Sequence, residues 1–261
     1  MLKGQWRFCS GCDYADWIFV GSVPTNDAGG DSEPPRLFLI PRAEFEFVDT
    51  WQVMGLAATG SKDIRLNNDY FVPEHRSLEL HTAADGTGPG GDFHPNPLYR
   101  LPRHACVPFT LAAPVVGIAQ GAVNIYREWA RERVTRGSRL AEQGAVQLRL
   151  AQSSAEVDAA QLLIRRSCAE SMKIVGSGQK MTMGQRGRNR RDMGFASQLC
   201  VQAVDRIHGG MGGSGIYLEN EIQRKLRDAH AVGVHSALVW DVAAATYSQI
   251  EFGLPPTSPM V

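Results

Sequence analysis

The hydrophobic pattern changes period near residue 102. Before it, short segments rich in β-branched and aromatic residues recur around 16–22, 36–41, 44–49 and 63–72, separated by Gly, Pro, Asn or Asp. That alternation predicts antiparallel strands. TNDAGGDSEPP at 25–35 predicts a turn-rich loop, and the Gly, Pro and Asp of 81–102 predict a long linker or active-site loop. Beyond Pro102 the spacing becomes helical, with helices expected at about 104–134, 139–174, 189–207 and 217–250. Pro108 and Pro114 fall near the start of the first, where proline is best tolerated. Val157, Gln161, Ile164 and Cys168 mark one face of the second. Ile222, Leu226, Ala229, Val232, Val239, Ala243 and Tyr247 mark one face of the fourth. The expected fold class is α+β: an antiparallel β domain (barrel or sandwich) over 1–102, then a C-terminal four-helix bundle over 103–261.

Composition narrows the function classes. With 261 residues, 43% hydrophobic and 21% charged, the chain can bury one large core or two moderate ones. Its 27 basic and 27 acidic side chains balance, so no net field draws it to nucleic acid or an anionic membrane. The basic run at 185–191 has no interleaved aromatic residue and reads as a solvated connection before the third helix. No apolar run is expected to reach the length of a membrane span, and MLKGQWRF lacks the apolar core of a signal peptide. Five cysteines, three of them (Cys106, Cys168, Cys200) in helix-like text, point to reduced thiols and a cytoplasmic setting.

Three stretches carry candidate chemistry. Cys9-Ser-Gly-Cys12 has C-x-x-C spacing, but no second cysteine or histidine pair completes a zinc site. The motif lies in alternating aromatic text that predicts two strands joined at Ser10-Gly11, so the thiols read as packing groups and no metal is expected. HGGMGGSG at 208–215 lies between two expected helices. Converging amides ahead of a helix N-terminus suit a phosphate, whereas a plain helix–helix turn needs fewer glycines. His230 and His235 lie five residues apart on the last expected helix, about 140° around its axis, so they cannot readily share one metal.

Five pieces of the sequence match one family in order: WRFCSGCDYADW, W-x-V-x-G-L-A-A-T-G-S from Trp51 to Ser61, YFVPEHR, NPLYRLP and RDAHAVGVH. Together they resemble the group D flavin-dependent monooxygenases, which share the acyl-CoA dehydrogenase fold. The resemblance implies an oxygenase component that takes reduced flavin, FMN or alternatively FAD, from a separate reductase. It would use O2 to hydroxylate an aromatic or polycyclic substrate. Phe8, Cys9, Ser10 and Gly11 would line the flavin edge, with the Ser10 hydroxyl on N5. Arg133 with Gly209, Gly210, Gly213 and Ser214 would hold phosphate, for a flavin of a neighbouring subunit in a homotetramer. His235 would act as catalytic base or stabilise the flavin–oxygen adduct. Family members begin with a helical domain, so the resemblance implies an N-terminally truncated homologue with a complete C-terminal end. The alternatives are an acyl-CoA dehydrogenase with a relocated base, since VHSALVW at 234–240 lacks the usual glutamate, or a non-catalytic remnant with an assembly role.

Overall fold

The computed structural model describes residues 1–24, 34–135 and 137–258. The loop expected at 25–35 falls, over 25–33, outside the described residues. The chain divides into two compact units, Met1–Pro102 and Arg103–Val261.

The first unit holds two antiparallel three-stranded sheets. One has the order β1 (Leu2–Trp6), β5 (Asp63–Tyr70), β4 (Glu46–Val48); the other has β2 (Trp17–Ser22), β3 (Arg36–Pro41), β6 (Ser77–Glu79). Alternation places Leu2, Val20, Ile40, Ile64 and Leu66 on inner faces, where with Phe45 and Cys12 they form one core shared by both sheets. The text around Ser10-Gly11 is not a hairpin. β1 and β2 belong to different sheets, and residues 7–16 cross between them. The crossing is fixed by Cys9 N–H to the Lys62 carbonyl (2.9 Å) and Gly11 N–H to the Thr59 carbonyl (3.0 Å). The segment 81–102 also carries more local structure than a bare linker: α1 (Leu80–Asp85), α2 (Gly90–Phe93) and a 3-10 turn at Pro97–Arg100 capped by Asn96.

The second unit contains α3 (Arg103–Glu132), the short pair β7 (Val134–Thr135) and β8 (Ser138–Arg139), then α4 (Gly144–Gly176), α5 (Met183–Gly210), α6 (Glu221–Gly233) and α7 (Trp240–Glu251). By length and composition α3 could cross a membrane, contrary to the sequence expectation. Its Ala112, Val115, Ala119, Val123 and Tyr126 are instead buried, and it packs on α4, α5 and α6.

Two expectations are corrected in this unit. The basic run at 185–191 is helix rather than solvated connection. Thr182 and Gln185 form a reciprocal capping box that starts α5 well before residue 189. Arg186, Asn189, Arg190 and Asp192 are then buried, and α4 supplies polar partners for Asn189 and Asp192. Asn189 donates to Ser171 (2.8 Å), Arg166 and Ser167 donate to Asp192 (2.5 and 3.1 Å), and Arg206 pairs with Glu156. The fourth expected helix is two helices. At 234–239 the chain turns, with His235 N–H on the Val232 carbonyl (3.0 Å), while the His235 carbonyl accepts from Leu238 (2.7 Å) and Val239 (3.1 Å).

Helix α7 approaches α5 over glycines. A Cβ on Gly194 would lie 2.8 Å from the Ala243 Cβ and 3.4 Å from the Leu238 carbonyl oxygen, whereas one on Gly187 would meet only the end of the Ile250 side chain. Overpacking of about 1–3 kcal/mol should outweigh the roughly 1 kcal/mol gained in helix propensity at Gly194 but not at Gly187. Gly194→Ala should therefore lower the denaturation midpoint and Gly187→Ala leave it level or raise it. Equal shifts in urea unfolding would refute this account of the α5–α7 contact.

Candidate functional site

Residues 6–10, Cys12 and residues 17–21 wall a cleft of about 420 Å³ whose lining includes Phe8, Cys9 and Ser10. Phe8 adopts φ 59°, a left-handed conformation uncommon outside glycine, and its ring stays 65% exposed. Its edge meets Trp51 at 6.2 Å between centroids. Gly11, at φ 74°, completes the bend into the 3-10 turn Cys12–Tyr14. The backbone thus presents Ser10 at the surface rather than in a ladder.

Three hydroxyls meet behind the cleft. Ser10 Oγ lies 2.8 Å from Ser61 Oγ, which lies 2.8 Å from Thr59 Oγ1, and Thr59 donates to the Leu56 carbonyl at 2.9 Å. Thr59 and Ser61 close the W-x-V-x-G-L-A-A-T-G-S stretch, so a sequence signal for them existed, but their link to Ser10 across some fifty residues did not.

The thiols differ from one another. Cys12 is fully buried in the core and Cys9 half-buried. Burial, then the neighbouring Cys12, pushes the Cys9 thiol up to about 11; burial and then Asp13 push Cys12 up as well. Protonated thiols are poor ligands and poor nucleophiles.

In the second unit the glycine segment is largely not a loop. Gly209 and Gly210 are the last residues of α5, and 212–216 form a 3-10 turn. Gly210 is set by packing: a Cβ there would lie 2.9 Å from Arg149 Cδ and 3.0 Å from Tyr126 Oη. Gly213 has open space around it, and Ser214 Oγ donates to the Met211 carbonyl (2.8 Å). The N-terminus of α6 is capped by Asn220 and followed by Glu221, which places an acid rather than an open amide cluster at its positive end. Arg133 follows α3 and lies over Trp129 (5.6 Å), which stacks on Tyr126, the ring against Gly210. The structure therefore links Arg133 through Trp129 and Tyr126 to Gly210; the glycine segment precedes α6 and His235 follows it, and the helix between them spans about 20 Å at 1.5 Å per residue.

His235 is not on a helix face. It lies in the α6–α7 break, one side open to solvent and the other packed against the protein, so the 140° argument that separates it from His230 does not hold. His230 is still in α6, where its Nε2 meets Asp205 Oδ1 at 2.7 Å. Ala237 N–H donates to His235 Nδ1 (3.1 Å), so the neutral imidazole carries its proton on Nε2. Beneath the break lies Arg190, only 2% exposed, whose Nη2 donates to the Ser236 carbonyl (2.7 Å) while Nε and Nη1 have no partner among the described residues. Sequence reasoning missed Arg190, because nothing in a basic run marks which arginine turns inward. Burial, then the Arg190 charge, holds the His235 pKa below its ordinary value.

Known proteins resemble this chain over its whole length. The family model of the acyl-CoA dehydrogenase C-terminal domain matches residues 109–240. The FADH(2)-dependent resorcinol hydroxylase oxygenase component of Rhizobium sp. (strain MTP-10005) is 37% identical, over 98% of this chain and 64% of that protein. The crystal structure of the HsaA monooxygenase from M. tuberculosis superposes with a TM-score of 0.91 at 35% identity, covering 99% of this chain and 66% of that one. XiaF from Streptomyces sp., in complex with FADH2 and glycerol, gives 0.88 at 26% identity, covering 99% and 65%. The chain spans just under two thirds of the length of these relatives.

The depressed His235 pKa has a definite sign. The folded state binds fewer protons at this site than the unfolded chain, so the stabilisation is complete above the unfolded value of about 6.5 and is lost as pH falls below it. Between pH 7.5 and 5.5 the wild type should lose unfolding free energy relative to His235→Gln. Parallel pH profiles of the two proteins would show that the imbalance is absent.

Proposed function

Because the chain belongs to the group D flavin-dependent monooxygenase oxygenase components, which share the acyl-CoA dehydrogenase fold, we propose that it hydroxylates an aromatic substrate with O2 and reduced flavin from a separate reductase. The observation that carries this reading is the exposed Ser10 hydroxyl at the cleft, backed by two further hydroxyls and flanked by Phe8 and Trp51. That arrangement fits the edge of a planar ring with a polar nitrogen. Reduced flavin supplies the two electrons that activate O2; the protein supplies position, hydrogen bonds and exclusion of water. FADH2 is named with two of the relatives above, which favours FAD over the FMN expected from sequence.

In this reading Phe8, Cys9 and Gly11 shape the cleft and Ser10 holds flavin N5. His235, neutral and protonated on Nε2, presents a hydrogen-bond donor. To act as a base it would first have to release Ala237 from Nδ1, so donation to a substrate or oxygen atom is its direct role. Arg133, Gly213 and Ser214 remain the phosphate group of the proposal, with Gly209 and Gly210 serving packing. The separation of the glycine segment from His235 by the length of α6 supports this group's serving the flavin of a neighbouring subunit, in a homotetramer. The dehydrogenase alternative gains nothing, since residues 234–239 contain no carboxylate.

The test is hydroxylation of a simple phenol such as resorcinol by the full chain with a flavin reductase. Ser10→Ala should weaken reduced-flavin binding by one hydrogen bond, roughly 2–10-fold. His235→Ala should lower product formation by about 10²–10⁴-fold with flavin affinity unchanged. Wild-type turnover in the His235 variant would remove that residue from the chemistry.

A further inference from the structure

The direction of the hydroxyl chain follows from counting its protons. Ser10, Ser61 and Thr59 own one hydroxyl proton each. The chain has three links, Ser10 to Ser61, Ser61 to Thr59 and Thr59 to the Leu56 carbonyl, and it ends on an oxygen that only accepts. All three links can be made in one way alone: Thr59 donates to Leu56, Ser61 to Thr59 and Ser10 to Ser61. The Ser10 proton therefore points inward, and toward the cleft Ser10 offers only lone pairs.

The terminus of this chain is held firmly. Leu56 has φ 57°, a strained conformation for a side chain branched at Cγ. Its carbonyl draws the Trp51 Nε1–H (3.2 Å) and the Thr59 N–H (3.1 Å) as well as the Thr59 hydroxyl. Ser61 is 4% exposed, so water does not compete for its proton. The mutual polarisation of linked hydroxyls reinforces one direction over the other.

We propose that Thr59 and Ser61 are positioning residues that make the Ser10 site selective for the redox state of the flavin. This rests on the reading that Ser10 faces flavin N5. Reduced flavin carries a proton on N5 and donates, whereas oxidised flavin presents a lone pair there and needs a donor. A Ser10 whose proton is committed inward accepts from the first and repels the second. The site thus takes up reduced flavin and releases the oxidised product, as an oxygenase component fed by a separate reductase requires.

The experiment is the ratio of dissociation constants for oxidised and reduced flavin, measured anaerobically on the full chain with FAD and FADH2 by fluorescence and equilibrium dialysis. Wild type should favour the reduced form. Thr59→Val removes the end of the chain at nearly constant volume and frees Ser61 and Ser10 to reverse, so the ratio should fall by roughly 3–10-fold, the worth of one hydrogen bond. Thr59→Ser restores the donor and should restore the ratio. A purely structural role for Thr59 would weaken both redox states together and leave the ratio alone. An unchanged ratio in Thr59→Val, or its loss in Thr59→Ser as well, overturns the inference while leaving the flavin assignment standing. Failure of the wild type to bind either redox state would sink the monooxygenase reading and the inference with it.

Discussion

A buried carboxylate organises the second unit. Asp192 on α5 is 2% exposed and is held by Arg166 and Ser167 from α4 and by Arg191 from its own helix. An acid without such partners would cost several kcal/mol to bury. The network therefore fixes how far α5 is rotated about its axis. Rotation in turn decides which residues α5 shows its other neighbours α3, α6 and α7. With Asp192 turned to α4, Gly194 faces Ala243, and Arg190 lies beneath the 234–239 turn. The position of His235 is thus inherited from an ion pair on another face of the same helix.

What could be read from the sequence was what periodicity records. The strands around 17–22, 36–41 and 63–70 and the long helix α3 stand out because each buries apolar residues at regular spacing, whereas α4 departs from the face marked in sequence: Val157 is buried but Gln161 is exposed, and Ser153, Ser167 and Ser171 turn inward instead. The start of α5 does not stand out, since its inward residues are Arg186, Asn189, Arg190 and Asp192, polar groups whose partners, on α4 for Asn189 and Asp192 and in the 234–239 turn for Arg190, leave no trace in local text. The α6–α7 break is hidden for a related reason. Apolar residues continue through it at helical spacing, and the turn is held by bonds of residues 234–239 to one another and by Arg190. At the candidate site, Ser10 and His235 came from family resemblance. The crossing that exposes Ser10 was masked because Ser10-Gly11 looks like a hairpin turn, and the company of Ser61 and Thr59 exists only in three dimensions.

Glycine serves two separate ends here. Gly11 at φ 74° and Gly60 at φ 52° bend the backbone where other residues would be strained. Gly194 and Gly210 have ordinary helical backbones and matter for the missing Cβ, which lets Ala243 in one case and Tyr126 in the other come into contact. Glycine density in the 208–215 stretch therefore mixes a helix end that needs smallness with a short turn that needs freedom. A dense run of glycines does not by itself identify an anion cradle.

The elevated thiol pKa values at the cleft bear on durability. Oxygen chemistry on flavins exposes nearby side chains to peroxide, and peroxide attacks the thiolate rather than the thiol. Burial and the neighbouring Cys12 push the Cys9 pKa up to about 11, so the thiolate is a minor species there near neutral pH. On the proposed reading of the cleft, thiols held protonated would resist conversion to sulfenic acid, so the strand crossing that buries Cys12 and half-buries Cys9 would also shield them from peroxide released there.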